Sequence, residues 1–272
     1  MNTTAEKRAK FRELHESGCF VLPNPWDIGS ARIMQHLGFK AIATTSSGFA
    51  WTIGRPDYAV TMDDVLEHLV SLAENTDLPI NADFESGFAR EPENLAANVD
   101  LIIDTGVSGF SIEDRMVDSN GELYERAEAA ERIRAARESI NHSGSDVILV
   151  ARTERLLIEP SAVREAIDTL VALAEAGADC LYAPGVHGKR DIEAMVRAVA
   201  PKPLNVLALD TSMTVAELSD LGVRRISVGG SLARVGWNAM IDAAIQMKAG
   251  SFNGLESGPS AIDLNKVFGG FY

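Results

Sequence analysis

The feature that most constrains this chain is an eightfold alternation of short apolar runs with longer amphipathic ones. The short runs fall at 19–23, 40–45, 78–83, 108–112, 146–151, 179–183, 203–207 and 224–228. Most are near-continuously apolar rather than alternating, as parallel strands buried on both faces require. Between them lie stretches with helical periodicity, such as DDVLEHLVSLAE at 63–74 and AVREAIDTLVALAEAG at 162–177. Gly38, Gly106, Gly177 and Gly222 stand where helices should end, and Thr61 and Ser161 where two should begin. Eight strand-helix units without a linker or a break in composition predict one (β/α)8 TIM barrel domain over 1–272. A doubly wound open sheet is the alternative with similar alternation. Residues 1–18 contain an extra N-terminal helix at 4–16, and 250–272 form a Gly-rich tail suited to packing on a neighbouring subunit or to disorder.

Charge narrows the function. The 272 residues hold 25 Lys and Arg against 39 Asp and Glu, a net charge of −14. Such a surface repels phosphate backbones and anionic lipid, so no nucleic-acid or membrane role is expected. An anionic substrate would need a locally positive site. The polar N-terminus lacks the apolar core of a signal peptide, and no run approaches the length of a membrane span. Cys19 and Cys180 both fall in strand runs and read as core thiols. A cytoplasmic protein is expected.

In a barrel of this type the active site gathers at the C-terminal strand ends. Those ends carry Asn24 to Asp27, Thr45 to Gly48, Asp83 with Glu85, Glu113 with Asp114, Arg152 to Glu154, Pro184-Gly185 with His187 behind, Asn205, and Gly229 to Ser231. Neighbouring strands lie about 4.8 Å apart, so Asp83, Glu85 and Glu113 can converge. Three carboxylates do not stay ionised together without a cation between them. An all-oxygen ligand set favours Mg2+, with Mn2+ possible in its place.

At these residues the chain resembles the isocitrate lyase/phosphoenolpyruvate mutase superfamily, from about 18 to 240. The resemblance rests on PNPWDIGSARIMQHLGFKAIATTSSG at 23–48, GRPDY at 54–58, NADFESGF at 81–88, SIED at 111–114 and VARTE at 150–154. It implies that Ser46, Ser47 and Gly48 cradle a substrate carboxylate. Asp57 would support the water shell of a metal, usually Mg2+, held by Asp83 and by Glu85 and Glu113 directly or through water. Arg152 would hold the substrate's oxo and carboxylate groups, with Asn205 nearby. The resemblance also implies a last helix exchanged between subunits, in a homo-oligomer, dimer or tetramer.

Two departures set the chain apart. Glu85 stands where relatives carry Asp. The segment after Glu113 reads DRMVDSNGELY, without the lyases' K-[KR]-C-G-H or the phosphonate enzymes' D-K-x-F-P-K-x-N. Asn120 is one residue out of register with the latter, and Gly121 could hinge a lid. His187 is a candidate substrate contact; His15, His36 and His68 read as helix packing or surface residues. The expected activity is Mg2+-dependent cleavage of a carbon–carbon bond in a small 2-oxo or 2-hydroxy (di)carboxylic acid, by lyase or decarboxylase chemistry through an enolate. Catalysis would rest on Arg152, Glu113 and Asp57. The alternative is C–P bond chemistry on phosphonopyruvate. A phosphate-binding barrel using Gly229 to Ser231 and a catalytically silent barrel are further readings.

Overall fold

The computed structural model describes residues 2–117, 119–209, 212–255 and 262–270. Eight parallel strands appear where the apolar runs predict them: β1 (Phe20–Leu22), β2 (Ile42–Ala43), β3 (Ile80–Asp83), β4 (Gly109–Glu113), β5 (Ile148–Arg152), β6 (Cys180–Tyr182), β7 (Leu204–Leu207) and β8 (Arg225–Ser227). They form one sheet in the order β1-β8-β7-β6-β5-β4-β3-β2. β1 pairs with β8, with Phe20 opposite Arg225, so the sheet curls on itself. The remaining seam is bridged by the Ala43 N–H, which donates to the Pro23 carbonyl at 3.0 Å. This nearly closed ring is the (β/α)8 barrel rather than an open doubly wound sheet.

Helices follow the strands: α1 (Thr4–Glu16) before the barrel, then α2 (Ile28–His36), α3 (Ser46–Thr52), α4 (Met62–Asn75), α5 (Pro92–Asp104), α6 (Arg126–Ser143), α7 (Arg155–Ile158), α8 (Val163–Glu175), α9 (Lys189–Val199), α10 (Val215–Asp220), α11 (Ser231–Lys248) and α12 (Leu264–Gly269). Amphipathic spacing sets which face each buries. In α4, Val65, Leu69 and Leu72 turn inward. Thr61 caps α4 in a reciprocal capping box with Asp64. Ser161 does not cap α8: the helix starts at Val163 after Ala162, and the Ser161 hydroxyl turns to Glu159. Gly38, Gly106, Gly177 and Gly222 all adopt positive φ just after their helices. At Gly177 a β-carbon would come within 2.8 Å of Arg137 Cγ, so both conformation and space call for glycine.

The barrel interior has two storeys. Its lower part is apolar: Phe20, Leu22, Ala41, Ala43, Ile148, Val150 and Cys180 pack around Phe11, which α1 inserts from below. Gly109 makes room for that ring, since a β-carbon there would lie 2.8 Å from Phe11 Cε1. Full burial of one Phe is worth roughly 1.5–3 kcal/mol, so the N-terminal helix is a structural plug. Above it the interior turns polar, with Asn81, Asn205, Arg225, Ser111 and Ser227 all buried. Cys19 sits half-buried just before β1, whereas Cys180 is buried within β6.

The predicted C-terminal tail is described at 250–255 and 262–270. α12 returns to the body of its own chain, where Phe268 lies beside Gly29 of α2 and Val267 is buried. Residues 256–261 and 271–272 of the predicted tail lie outside the described residues. α11 is different again. Of its 18 residues only Ala233 is buried, and Val235, Met240, Ile241, Ile245 and Met247 are exposed. No helix among the described residues is long and apolar enough to cross a membrane.

Candidate active site

A cavity of about 150 Å³ opens at the C-terminal end of the barrel. Every strand or its following loop contributes to it, among others Asn24, Ser46, Ser47, Asp83, Arg152, Tyr182, Asn205 and Gly230. The volume is below the usual 300–1,000 Å³ of pockets for drug-sized ligands and suits a small polar metabolite.

The centre of the site is the Arg152 guanidinium. β5 ends on Arg152, directly opposite Glu113 at the end of β4. Its Nη1 lies 3.3 Å from Asp83 Oδ1 and 3.4 Å from Glu113 Oε2. Its Nε donates to Glu154 Oε1. The face of Tyr182 lies 5.3 Å away. One buried cation thus carries three carboxylates. Burial alone would lower the Arg152 pKa, but Glu154, Glu113 and Asp83 outweigh it and raise the pKa above its ordinary value. Asp114 holds the base of this arrangement: it accepts from the Thr153 hydroxyl at 2.6 Å and from the Glu154 N–H at 2.8 Å.

The acids around Arg152 remain in excess. Burial raises the Glu113 carboxyl well above the usual range, against the pull of Arg152 and with Glu154 and Asp83 adding repulsion. Burial, then Asp83 and Asp57, push Glu85 up to about 8. Burial and Asp83 also raise Asp57. Among the described residues, Glu85 Oε1 and Glu113 Oε1 are buried without a hydrogen-bond partner. Orphaned, mutually repelling carboxylate oxygens are the donor set that a hard divalent cation satisfies. They fit such an ion in chemistry, although among the described residues no three His, Cys, Asp or Glu side chains stand gathered as a ready-made ligand cage. Instead the Arg152 guanidinium lies between Asp83 and Glu113.

The expected site residues are not all brought to one place. Ser46, Ser47, Asp57, Asp83, Arg152 and Asn205 share the cavity. Glu85 faces an adjoining cavity with Tyr58 and Arg115. Glu113 lies beneath, among Asp114, Arg132 and Arg152. The Ser46-Ser47-Gly48 segment is the first turn of α3, and part of its donor capacity is already used. The Ser46 N–H donates to Asp83 Oδ2 at 3.1 Å and the Gly48 N–H to the Thr45 hydroxyl at 3.3 Å. His187 is exposed in the loop after β6 and does not line the cavity. Asp27, polar at the first strand end, caps α2. His15 and His68 are half-buried packing residues, the latter stacked on Phe49 at 4.0 Å.

Backbone strain collects at the same place. Tyr58, Glu85 and Phe88 are the non-glycine residues with positive φ among those described. Each such conformation costs on the order of 1–2 kcal/mol, and strain of this kind concentrates at functional sites. The segment after Glu113 is a hydrogen-bonded hairpin, with Met116 N–H donating to Glu122 O and Tyr124 N–H to Asp114 O, both at 2.8 Å. Gly121 takes positive φ near its exposed tip. Arg115 lies 3.9 Å above the Tyr58 ring and ties this hairpin to the loop before α4. Asp118 lies outside the described residues.

Residues 11–248 match the family model described as phosphoenolpyruvate phosphomutase, and the chain belongs to that family. It is part of the isocitrate lyase/phosphoenolpyruvate mutase superfamily, whose members include lyases and mutases. An uncharacterised protein of Mycobacterium tuberculosis strain H37Rv is 31% identical over 237 residues, covering 86% of this chain and 87% of its own. A solved structure from Burkholderia cenocepacia J2315, provisionally designated a lyase/mutase, is 38% identical. It superposes with a TM-score of 0.93 over 98% of each chain. The structure of 2,3-dimethylmalate lyase is 26% identical, with a TM-score of 0.85 over 99% of this chain and 95% of that one.

The Glu85 environment has a measurable consequence. Its folded pKa of about 8 lies above the ordinary 4.5. The folded chain therefore holds an extra proton between those values. The stability this confers is complete below about pH 4.5 and is lost as pH rises through about 8. The melting temperature of metal-free protein should fall between pH 5 and pH 8, and Glu85→Gln should flatten part of that fall. A variant whose melting temperature falls just as steeply would contradict the assignment.

Proposed function

We propose that this chain is a Mg2+-dependent lyase or decarboxylase that cleaves a carbon–carbon bond in a small 2-oxo or 2-hydroxy acid. The observation that carries the reading is the buried Arg152 guanidinium set among Asp83, Glu113 and Glu154, with one oxygen each of Glu85 and Glu113 lacking a hydrogen-bond partner among the described residues. Such a site is short of positive charge, so it recruits a cation. It also presents a fixed guanidinium to a developing anion.

Asp83, Glu85 and Glu113 would hold the ion, with Asp57 supporting its water shell. Bound Mg2+ would supply Lewis acidity at the substrate's oxo or hydroxyl oxygen. The chain's own groups do the rest. Ser46, Ser47 and Gly48 would orient the substrate carboxylate, and Asn205 lines the same cavity from β7. In a 2-oxo acid the bond from C3 to a carboxylate breaks, CO2 leaves and the electron pair passes into the enolate. In a 2-hydroxy acid the C2–C3 bond breaks as the hydroxyl gives up its proton, C2 becomes a carbonyl and the electron pair passes into the enolate of the other fragment. Arg152 stabilises the negative charge as a cation that does not deprotonate. Burial, with Glu113 next in weight, keeps the Tyr58 phenol protonated. The Tyr58–Arg115 contact sits at the mouth, where Tyr58 lines both the main cavity and the adjoining one. Support also comes from similarity to 2,3-dimethylmalate lyase. No Cys stands in the segment after Glu113, so the reaction uses no lyase-type Cys acid there.

A screen of 2-oxo and 2-hydroxy acids with Mg2+ should register pyruvate or CO2 release. Arg152→Lys, which loses the planar fork, should lower kcat by about 10²-fold or more, and Asp83→Ala should abolish turnover. Failure to cleave any dicarboxylate, or an Asp83→Ala variant with unchanged Mg2+ dependence, would overturn the reading. Phosphate release from phosphonopyruvate would instead establish C–P chemistry.

We also infer that the apolar flank of α11 is covered by a second copy of the chain in a dimer or tetramer. The exposed Ile241 and Ile245 lie on this helix, and Trp237 lines a groove between it and Trp51. Sedimentation velocity at micromolar concentration should give a dimer or tetramer, shifted toward monomer by Ile241→Asp with Ile245→Asp. A monomeric wild type would contradict this.

A further inference from the structure

The cavity contains a second arginine whose surroundings are the reverse of Arg152's. Arg225 opens β8, with Ile226 turned outward after it and Ser227 next on the inner face. It is 2% exposed and lines the cavity together with Asn81, Asn205 and Ser227. Its Nε donates to Asn205 Oδ1 at 2.8 Å, and its Nη1 lies 3.3 Å from both Asn81 Oδ1 and His15 Nε2. The His15 Nδ1 lies 2.7 Å from the Phe11 carbonyl oxygen and must donate to it. That fixes Nε2 as the acceptor and leaves the ring neutral. The Phe11 ring lies 5.9 Å away.

Every partner of Arg225 is therefore uncharged. It forms no salt bridge to a carboxylate among the described residues, and burial lowers its pKa, offset only in part by the Cys180 thiol and the Tyr182 phenol. Arginine nonetheless keeps its proton in proteins. A buried cation without a counter-charge is expensive unless an anion arrives. Nη2 makes no hydrogen bond among the described residues and is not sealed from the cavity. The register relates the two arginines. Arg152 pairs with Tyr182, Tyr182 with Asn205, and Asn205 with Arg225. They stand three strands apart in one row, roughly 14 Å around the wall, and both reach into the same small cavity.

We propose that Arg225 is the seat of the substrate's second anionic group, the distal carboxylate of a small dicarboxylic acid whose 2-oxo or 2-hydroxy end faces Arg152. The proposal rests on the preceding reading of the cavity as a site for such acids, and adds to it a requirement for two anionic ends. The planar guanidinium fork suits a carboxylate, and the Asn205 and Asn81 carbonyl oxygens hold that fork in place. Arg152 is nearly saturated by protein carboxylates. Arg225 is the cation with charge to spare.

The test is calorimetric binding of racemic malate and of racemic 2-hydroxybutanoate, in Mg2+. The two differ only in a distal carboxylate against a methyl group. Wild type should bind malate at least about tenfold more tightly. Arg225→Gln should bring malate down to the level of 2-hydroxybutanoate and leave the latter within about threefold, while Arg225→Lys should keep part of the preference. Far-ultraviolet circular dichroism confirms folding of each variant, and the wild-type comparison stands even if Arg225→Gln does not fold. A purely structural Arg225 would lower the melting temperature without altering the malate preference, which overturns the proposal. So does a wild type that binds both probes equally, or neither. A malate preference that depends on Arg225 with no turnover of any acid sinks the proposed reaction and leaves this subsite standing. Turnover of 2-oxo acids with a malate preference that survives Arg225→Gln does the opposite.

Discussion

One buried guanidinium organises the mouth of this barrel. Arg152 binds Asp83, Glu113 and Glu154 at once, which ties the ends of β3, β4 and β5 to the turn that follows β5. The geometry is inherited from the sheet. Glu113 and Arg152 are register partners, and a one-residue slip of either strand would turn its own member of the pair to the outer face. Yet one positive charge does not neutralise three negative ones in a buried setting. The remaining carboxylates respond by holding protons, as the raised Glu85 and Glu113 pKa values reflect. A divalent cation would relieve the same imbalance by displacing those protons.

The rest of the fold serves this charge arrangement from two directions. From above, strained backbone at Tyr58 and Glu85 keeps two side chains where relaxed geometry would not, and Arg115 pins the Tyr58 ring. From below, α1 plugs the barrel with Phe11 and presents His15 to Arg225. The N-terminal helix is thus continuous with the floor of the pocket, and the floor carries the positive charge that the mouth lacks. A small acid with one end at each level would meet both.

Much of this was legible in the sequence because burial leaves a direct trace. Continuous apolar runs gave all eight strand positions, and the glycines after helices marked C-terminal stops that the structure places at positive φ. Polar strand ends pointed to the pocket, and Asp83, Arg152 and Asn205 lie in it. Other features depend on contacts distant in sequence. Glu85 turns into a side cavity because of a positive φ that no local pattern announces. His187 follows its strand closely but the loop carries it outward. Asp114 and Glu154 were visible as acids, but their hold on Thr153 and Arg152 required the packed site. Arg225 had a signal that a strand-end survey passes over: Arg and Ser alternate with Ile at 225–227, which places two polar side chains on the inner face of β8. The exposure of α11 was foreshadowed only through the family resemblance, since its apolar content resembles that of a packed helix.

The proposed divalent-cation site centres on Asp83, within the surplus of carboxylates around Arg152. The most direct measurement is electron paramagnetic resonance of Mn2+ titrated into wild type and Asp83→Asn at pH 7.5. The free-ion signal should be lost at one ion per chain in wild type, and binding should weaken by about tenfold or more in the variant, equivalent to at least about 1.4 kcal/mol. Equal binding by the two proteins, or no binding by wild type, would contradict it.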